Sequence, residues 1–141
     1  MSSLLPVPAL IRVLRWLTPV FAGAMFLSII LVLLEIGPVI MGGQRVDRAT
    51  WLHVAAPLVA VIGTLTFLAS VGLARRRAWA RHLIILMFAF IIAYAISARA
   101  FQAIPNGMMW RAIGNASFAG ALSVWYFYFK KNVASYFAAL K

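Results

Sequence analysis

The sequence predicts an all-α integral membrane protein: a four-transmembrane-helix up-down-up-down bundle with a short N-terminal interfacial helix. Three observations predict it. The 141 residues are 65% hydrophobic and 11% charged, with a mean hydropathy of +0.99. A soluble domain is about 45–50% apolar and about 25% charged, and a chain this short has too much surface to bury such an excess. Four apolar runs, at about 19–41, 53–74, 83–103 and 112–129, come close to the roughly 20 residues a helix needs to cross hydrocarbon. Trp16, Trp51, Trp79, Trp110 and Trp125 lie near the ends of those runs, as an aromatic belt does. No stretch is left for a soluble domain, so 1–141 is one membrane domain.

Taken in order, residues 8–17 (PALIRVLRWL) place Leu10, Val13, Leu14 and Leu17 at helical spacing with Arg12 and Arg15 off that stripe. This is the pattern of a helix lying in the interface, ended by Pro19. Run one, Pro19–Met41, contains a signal-peptidase-like AGA at 22–24. A cleavable signal wants one unbroken apolar region before such a site, and Arg12 and Arg15 interrupt it, so the run is expected to be retained as a span. Gly42 and Gly43 stop it, and 42–50 is a loop. Run two, His53–Ala74, meets the basic turn RRRAWAR at 75–81. Run three, Leu83 to about Ala103, is followed by Pro-Asn-Gly at 105–107, a strong turn signal. Run four, Ala112–Phe129, is slightly short, and its aromatic end (WYFYF) can sit in the interface. Short connections make sequence neighbours antiparallel. Strands are not expected, because period-2 alternation is absent and an open sheet edge is excluded from lipid.

The net charge is +11. The basic residues stand between apolar runs, which points to topology and anionic headgroups and not to nucleic acid. The N-terminal segment (Arg12, Arg15), the middle loop (Arg75, Arg76, Arg77, Arg81) and the tail (Lys130, Lys131, Lys141) outweigh Arg45, Arg48, Arg99 and Arg111 on the other side. The excess puts both termini and the middle loop in the cytoplasm. There is no cysteine, which excludes disulfides and thiolate chemistry.

Small residues recur four apart on the predicted spans: Ala56, Ala60 and Thr64; Ala89, Ala93 and Ser97; Ala112, Ala116 and Gly120, with Ala24 and Ser28 on the first. Such rows let helices approach closely where lipid gives no hydrophobic drive. Glu35 is the one acidic residue inside an apolar run. Counted along ideal helices, Glu35 and Arg99 lie at nearly one depth, roughly 22 and 24 Å from the inner ends of their spans. A charge in the membrane is costly unless paired. The expectation is a polar clasp of Glu35 and Arg99, with Asn115, Gln102 or Tyr94 as hydrogen-bond donors. His53 and His82 stand at opposite ends of their spans and cannot share a metal. As lone ligands to haem or a pigment they lack facing partners, so no cofactor and no metal are expected. Catalysis finds no base-activated nucleophile and no phosphate-binding loop.

Two segments, GLARRRAWARHLIIL (72–86) and WYFYFKKNVASYF (125–137), resemble features of uncharacterised small four-helix bacterial inner-membrane proteins. The resemblance implies the four-helix fold and the bacterial inner membrane, and brings no active residues with it. The functional expectation is a non-catalytic accessory or assembly subunit, packed against other integral membrane subunits or itself in a bilayer that includes anionic lipids. The rivals are a small homo-oligomeric transporter or channel with a Glu35–Arg99 polar centre, and a regulatory or immunity-type membrane binding protein.

Overall fold

The computed structural model describes residues 6–140; Lys141, counted above in the basic tail, lies outside them. Four long helices carry the fold: α1 (Ala9–Leu33), α2 (Arg48–Ala74), α3 (Ala80–Ala100) and α4 (Asn106–Val124). A hairpin of β1 (Ile40–Met41) and β2 (Gln44–Arg45) separates α1 from α2, and a π-helical turn (Trp125–Phe129) leads from α4 into a short helix, α5 (Lys131–Ala138). The helices α1, α2 and α3 are long and apolar enough to cross a membrane. α4 is more polar, with Asn106, Arg111, Asn115, Ser117 and Ser123 along it.

Helix α1 differs from expectation at both ends. No separate helix precedes Pro19: α1 runs unbroken from Ala9 through it. Proline removes a single backbone bond, the one its missing N–H would give the Arg15 carbonyl, and the turns on either side carry the helix on. Its 25 residues rise about 37 Å, more than the roughly 30 Å of hydrocarbon, so Arg12 and Arg15 ride on the first turns of the same helix. At the far end α1 stops at Leu33 and not at Met41. Glu35 takes a left-handed conformation (φ 61°). The Ile36 N–H donates to the Leu31 carbonyl (2.9 Å) and the Glu35 N–H to the Val32 carbonyl (3.3 Å), the paired bonds of a Schellman stop. Beyond it, Gly42 and Gly43 (φ 62° and 86°) make the tight turn of the hairpin, pairing Met41 with Gln44 and Ile40 with Arg45. That strand pair was not expected; two residues a side leave no alternation to detect.

The same stop recurs. Arg76 (φ 52°) ends α2, with Arg77 N–H to Gly72 C=O at 2.8 Å; Gln102 (φ 57°) ends α3, with Ala103 N–H to Ala98 C=O at 2.8 Å. Helix α2 starts on Asp47, whose carboxylate accepts from the Thr50 N–H (2.8 Å) and the Thr50 hydroxyl (2.5 Å), a side-chain N-cap. Helix α4 starts at Asn106, ahead of the expected Ala112, because Pro105 is well suited to a helix entry.

Packing follows chain order: α1 lies on α2, α2 on α3 and α3 on α4. Helices α1 and α4 do not pack along their lengths, so the four form a row curled around an open side. The beginning of α1, the end of α2, the beginning of α3 and the π turn meet at one end in a buried cluster with α5 (Ile11, Leu73, Ala80, Tyr126, Phe127, Val133, Tyr136, Phe137). Successive helices therefore alternate in direction. In α5, Val133, Tyr136 and Phe137 share the buried face while Lys131, Asn132 and Ser135 are exposed, the spacing of an amphipathic helix.

Candidate functional site

The open side is a cavity of about 580 Å³ between α1 and α4, with α2 and α3 as its back wall. Helix α1 lines it with Leu10, Leu14, Thr18, Phe21 and Met25, and the back wall supplies Ile62, Thr66, Ala69, Ile84, Met87 and Phe88. Leu122, Ser123, Trp125, Tyr126 and Phe127 form the opposite lip. The hydroxyls of the serine and threonines here are already engaged. Thr18 donates to the Leu14 carbonyl (2.7 Å), Ser123 to the Ala119 carbonyl (2.8 Å) and Thr66 to the Met87 sulfur (3.4 Å).

Cations crowd the end of the cavity where the buried cluster lies. The Lys130 Nζ sits 5.2 Å from the centre of the Tyr126 ring. The Arg81 guanidinium lies over Tyr128 (4.7 Å) and Phe137 (5.6 Å), within cation–π range. Arg12, Arg15, Arg75, Arg76, Arg77 and Lys131 are exposed nearby in the chain segments that converge here. The π turn makes this arrangement possible: the Lys130 N–H reaches back to the Trp125 carbonyl (3.1 Å), and the wider turn brings Tyr126 and Phe127 inward while breaking α4 from α5. This cluster escaped sequence reading. The signal was there, in the Val133, Tyr136, Phe137 spacing of the tail.

The opposite end holds the acidic residues. Glu35 pairs with Arg48 and not with Arg99. The Arg48 guanidinium also donates to the Leu33 carbonyl, so one cation caps the C-terminus of α1 and neutralises the residue that ends it. The expected depth match failed because the helix stops before Glu35, and the left-handed turn carries that carboxylate toward the start of α2. Arg99 instead donates its Nε–H to Asn106 Oδ1 (3.1 Å), tying the end of α3 to the start of α4. Asn115 is exposed on α4, away from both. The Tyr94 hydroxyl donates to the Val54 carbonyl of α2 (2.5 Å), and Gln102 is the exposed residue ending α3. Bonds from Thr50, its hydroxyl first and then its N–H, hold the Asp47 carboxyl below the usual carboxylate value. His53 Nδ1 contacts the Ala49 carbonyl (2.7 Å) at this end, and His82 Nδ1 contacts the Tyr128 hydroxyl (2.6 Å) at the other.

The small-residue rows part ways. Ala116 is buried, and a methyl group on Gly120 would meet Phe88 of α3 at 3.3 Å, whereas Ala112 is half-buried in the cleft beside the hairpin. Ala56 and Ala60 are half-buried and Thr64 is exposed, its hydroxyl bonded to the Ala60 carbonyl (2.8 Å). The close approach of α2 to its neighbours is at Gly63 and Gly72. Ala89, Ala93 and Ser97 are all exposed. At roughly 100° per residue, they lie opposite the α3 residues that line the cavity. No protein-family model, curated protein or solved structure matches the chain.

Proposed function

We propose that this protein is a four-span subunit of the bacterial inner membrane, with both termini in the cytoplasm, whose role is to pack against other membrane-embedded chains. In this reading α4, with 19 residues and the five-residue π turn after it, is the fourth span, between Trp110 and Phe129. The basic cluster marks the cytoplasmic end, by the positive-inside rule.

One observation carries the packing role: the row Ala89, Ala93, Ser97 faces outward from α3. Lipid gains nothing from small side chains, whereas a neighbouring helix gains close backbone contact from them. Exposed Pro57, Val61 and Thr64 on α2 continue the same outer face. Asn115, exposed beside Phe118 on α4, adds a group whose hydrogen bonds a partner helix would satisfy. A transport role would ask for a charged centre inside the bundle. Glu35 does not supply one, since its side chain is 74% exposed at the bundle's end.

Co-purification in mild detergent with mass spectrometry tests the reading. A subunit elutes with a second membrane chain, or with itself, in fixed ratio, and Ala93→Leu abolishes that association while the helix content stays. A protein that runs as a monomer before and after Ala93→Leu is no such subunit. Proton-driven flux lost in Glu35→Gln would replace this reading with the transporter.

A further inference from the structure

We propose that the cleft between α1 and α4 binds one anionic phospholipid, with an acyl chain lying along the cleft and the phosphate beside Lys130. The inference rests on the four-span reading in one respect, that the cleft lies in lipid.

The walls select an apolar chain. The cavity of about 580 Å³ is of ligand size, within the roughly 300–1,000 Å³ of small-molecule sites. Thr18, Thr66 and Ser123 already have partners, so the occupant needs no polar groups along its length. From Leu10 to Met25 the α1 wall rises about 22 Å, enough for the roughly 15 Å of hydrocarbon in one leaflet. The shape favours a lipid over a partner helix. Tyr126 and Phe127 close the cleft at its basic end, so a helix crossing the full membrane would collide with them. An acyl chain of the inner leaflet has its headgroup at that end and occupies only the cleft beyond them, toward the bilayer midplane.

Charge selects the headgroup. The chain's two acidic residues, Glu35 and Asp47, both lie at the far end of the bundle. Among the described residues, the cluster of arginines and lysines at the closed end therefore has no aspartate or glutamate beside it. Lys130 is the cation best placed, because it stacks on Tyr126, a residue of the cleft wall. An ammonium there adds its attraction for an anionic headgroup to the burial of the tail.

Native mass spectrometry of the full chain, incubated in detergent with equal amounts of dioleoyl phosphatidylglycerol and dioleoyl phosphatidylcholine, tests this. One phosphatidylglycerol is expected to stay bound per chain in preference to phosphatidylcholine. Lys130→Gln should lower that preference about five-fold, and Ser123→Phe, which fills the cleft, should abolish retention of both lipids. Leu14→Trp fills it from the opposite wall and should do the same if Ser123→Phe does not fold. Equal retention of the two lipids by the unaltered chain overturns the proposal. So does undiminished retention in a folded, filled variant, or a second polypeptide found in place of lipid. A chain that needs detergent yet holds no lipid refutes the site and leaves the four-span reading standing.

Discussion

Glu35, Arg76 and Gln102 each end a helix in the left-handed region, where a side chain costs about 1–2 kcal/mol that glycine avoids. Arg76→Gly and Gln102→Gly should therefore each raise unfolding stability by about 0.5–1 kcal/mol, read from denaturation in mixed micelles. No gain in either would show that these helix ends are not held as described. At Glu35 glycine would also remove the ion pair, and Arg48 is the larger contributor, because it serves both the carboxylate and the Leu33 carbonyl. Arg48→Ala should cost about 1–2 kcal/mol and Glu35→Ala less than about 1 kcal/mol. The double change should cost less than the sum, whereas Glu35→Ala with Arg99→Ala should be additive. Coupling in the second pair and none in the first would reverse the assignment. That Glu35 needs a cation was legible in the sequence. Which cation was not, because the apolar run continues past Gly37 and Pro38 to Met41 and hydropathy carries the helix through that break, and counting depth along a helix that has already ended leads to the wrong partner.

At the scale of elements, Gly72 and Asp47 are decisive. A methyl group on Gly72 would meet the Ala80 Cβ and the Trp79 ring at 2.8 Å, so α2 and α3 could not keep their spacing. Gly72→Ala should destabilise by about 1–3 kcal/mol despite the better helix propensity of alanine, and Gly63→Ala, which meets only Phe26 and Met25 at 3.3–3.4 Å, should be much milder. Equal effects would mean the α2–α3 crossing is looser than drawn. Asp47 gives the start of α2 a pH dependence. Its folded carboxyl titrates below the ordinary 3.8, so its contribution is fully present above that value and is lost as pH falls through the lower, folded one. Thermal stability should drop on going from about pH 5 to about pH 3, and Asp47→Asn, which still caps a helix, should flatten that slope; an unchanged slope would remove Asp47 from the account. The cores of α1, α2 and α3 were plain from hydropathy alone. Element ends were not: Pro19 reads as a break because proline usually is one, yet a long apolar helix absorbs one missing bond. The α5 helix is too short to register by length and shows itself only in the spacing of three residues.

For the molecule as a whole, the alternating course of the helices was legible, since short basic and Pro-Gly loops allow little else. The open side was not. Hydropathy does not tell a ring of four helices from a row of four, and the small-residue rows suggested mutual packing that the α3 row does not make. Orientation is directly measurable, and the absence of cysteine makes that measurement clean. Single cysteines at Gly43 and at Ala78 should react with impermeant reagents from opposite faces of intact cells, Gly43 from outside and Ala78 only after the cells are opened. Labelling of both from one face would overturn the four-span course.

Ile11, near the start of α1, is buried in the same cluster as Val133, Tyr136 and Phe137 of α5. Contacts that far apart in sequence form late. While the ribosome is still making the chain, the first helix can insert but lacks its last neighbours, and the Ile11 side chain waits until the final helix has been translated. Truncation before Lys131 would therefore leave a defect at the opposite end of the chain, seen as protease cutting near Arg12 and not as loss of insertion.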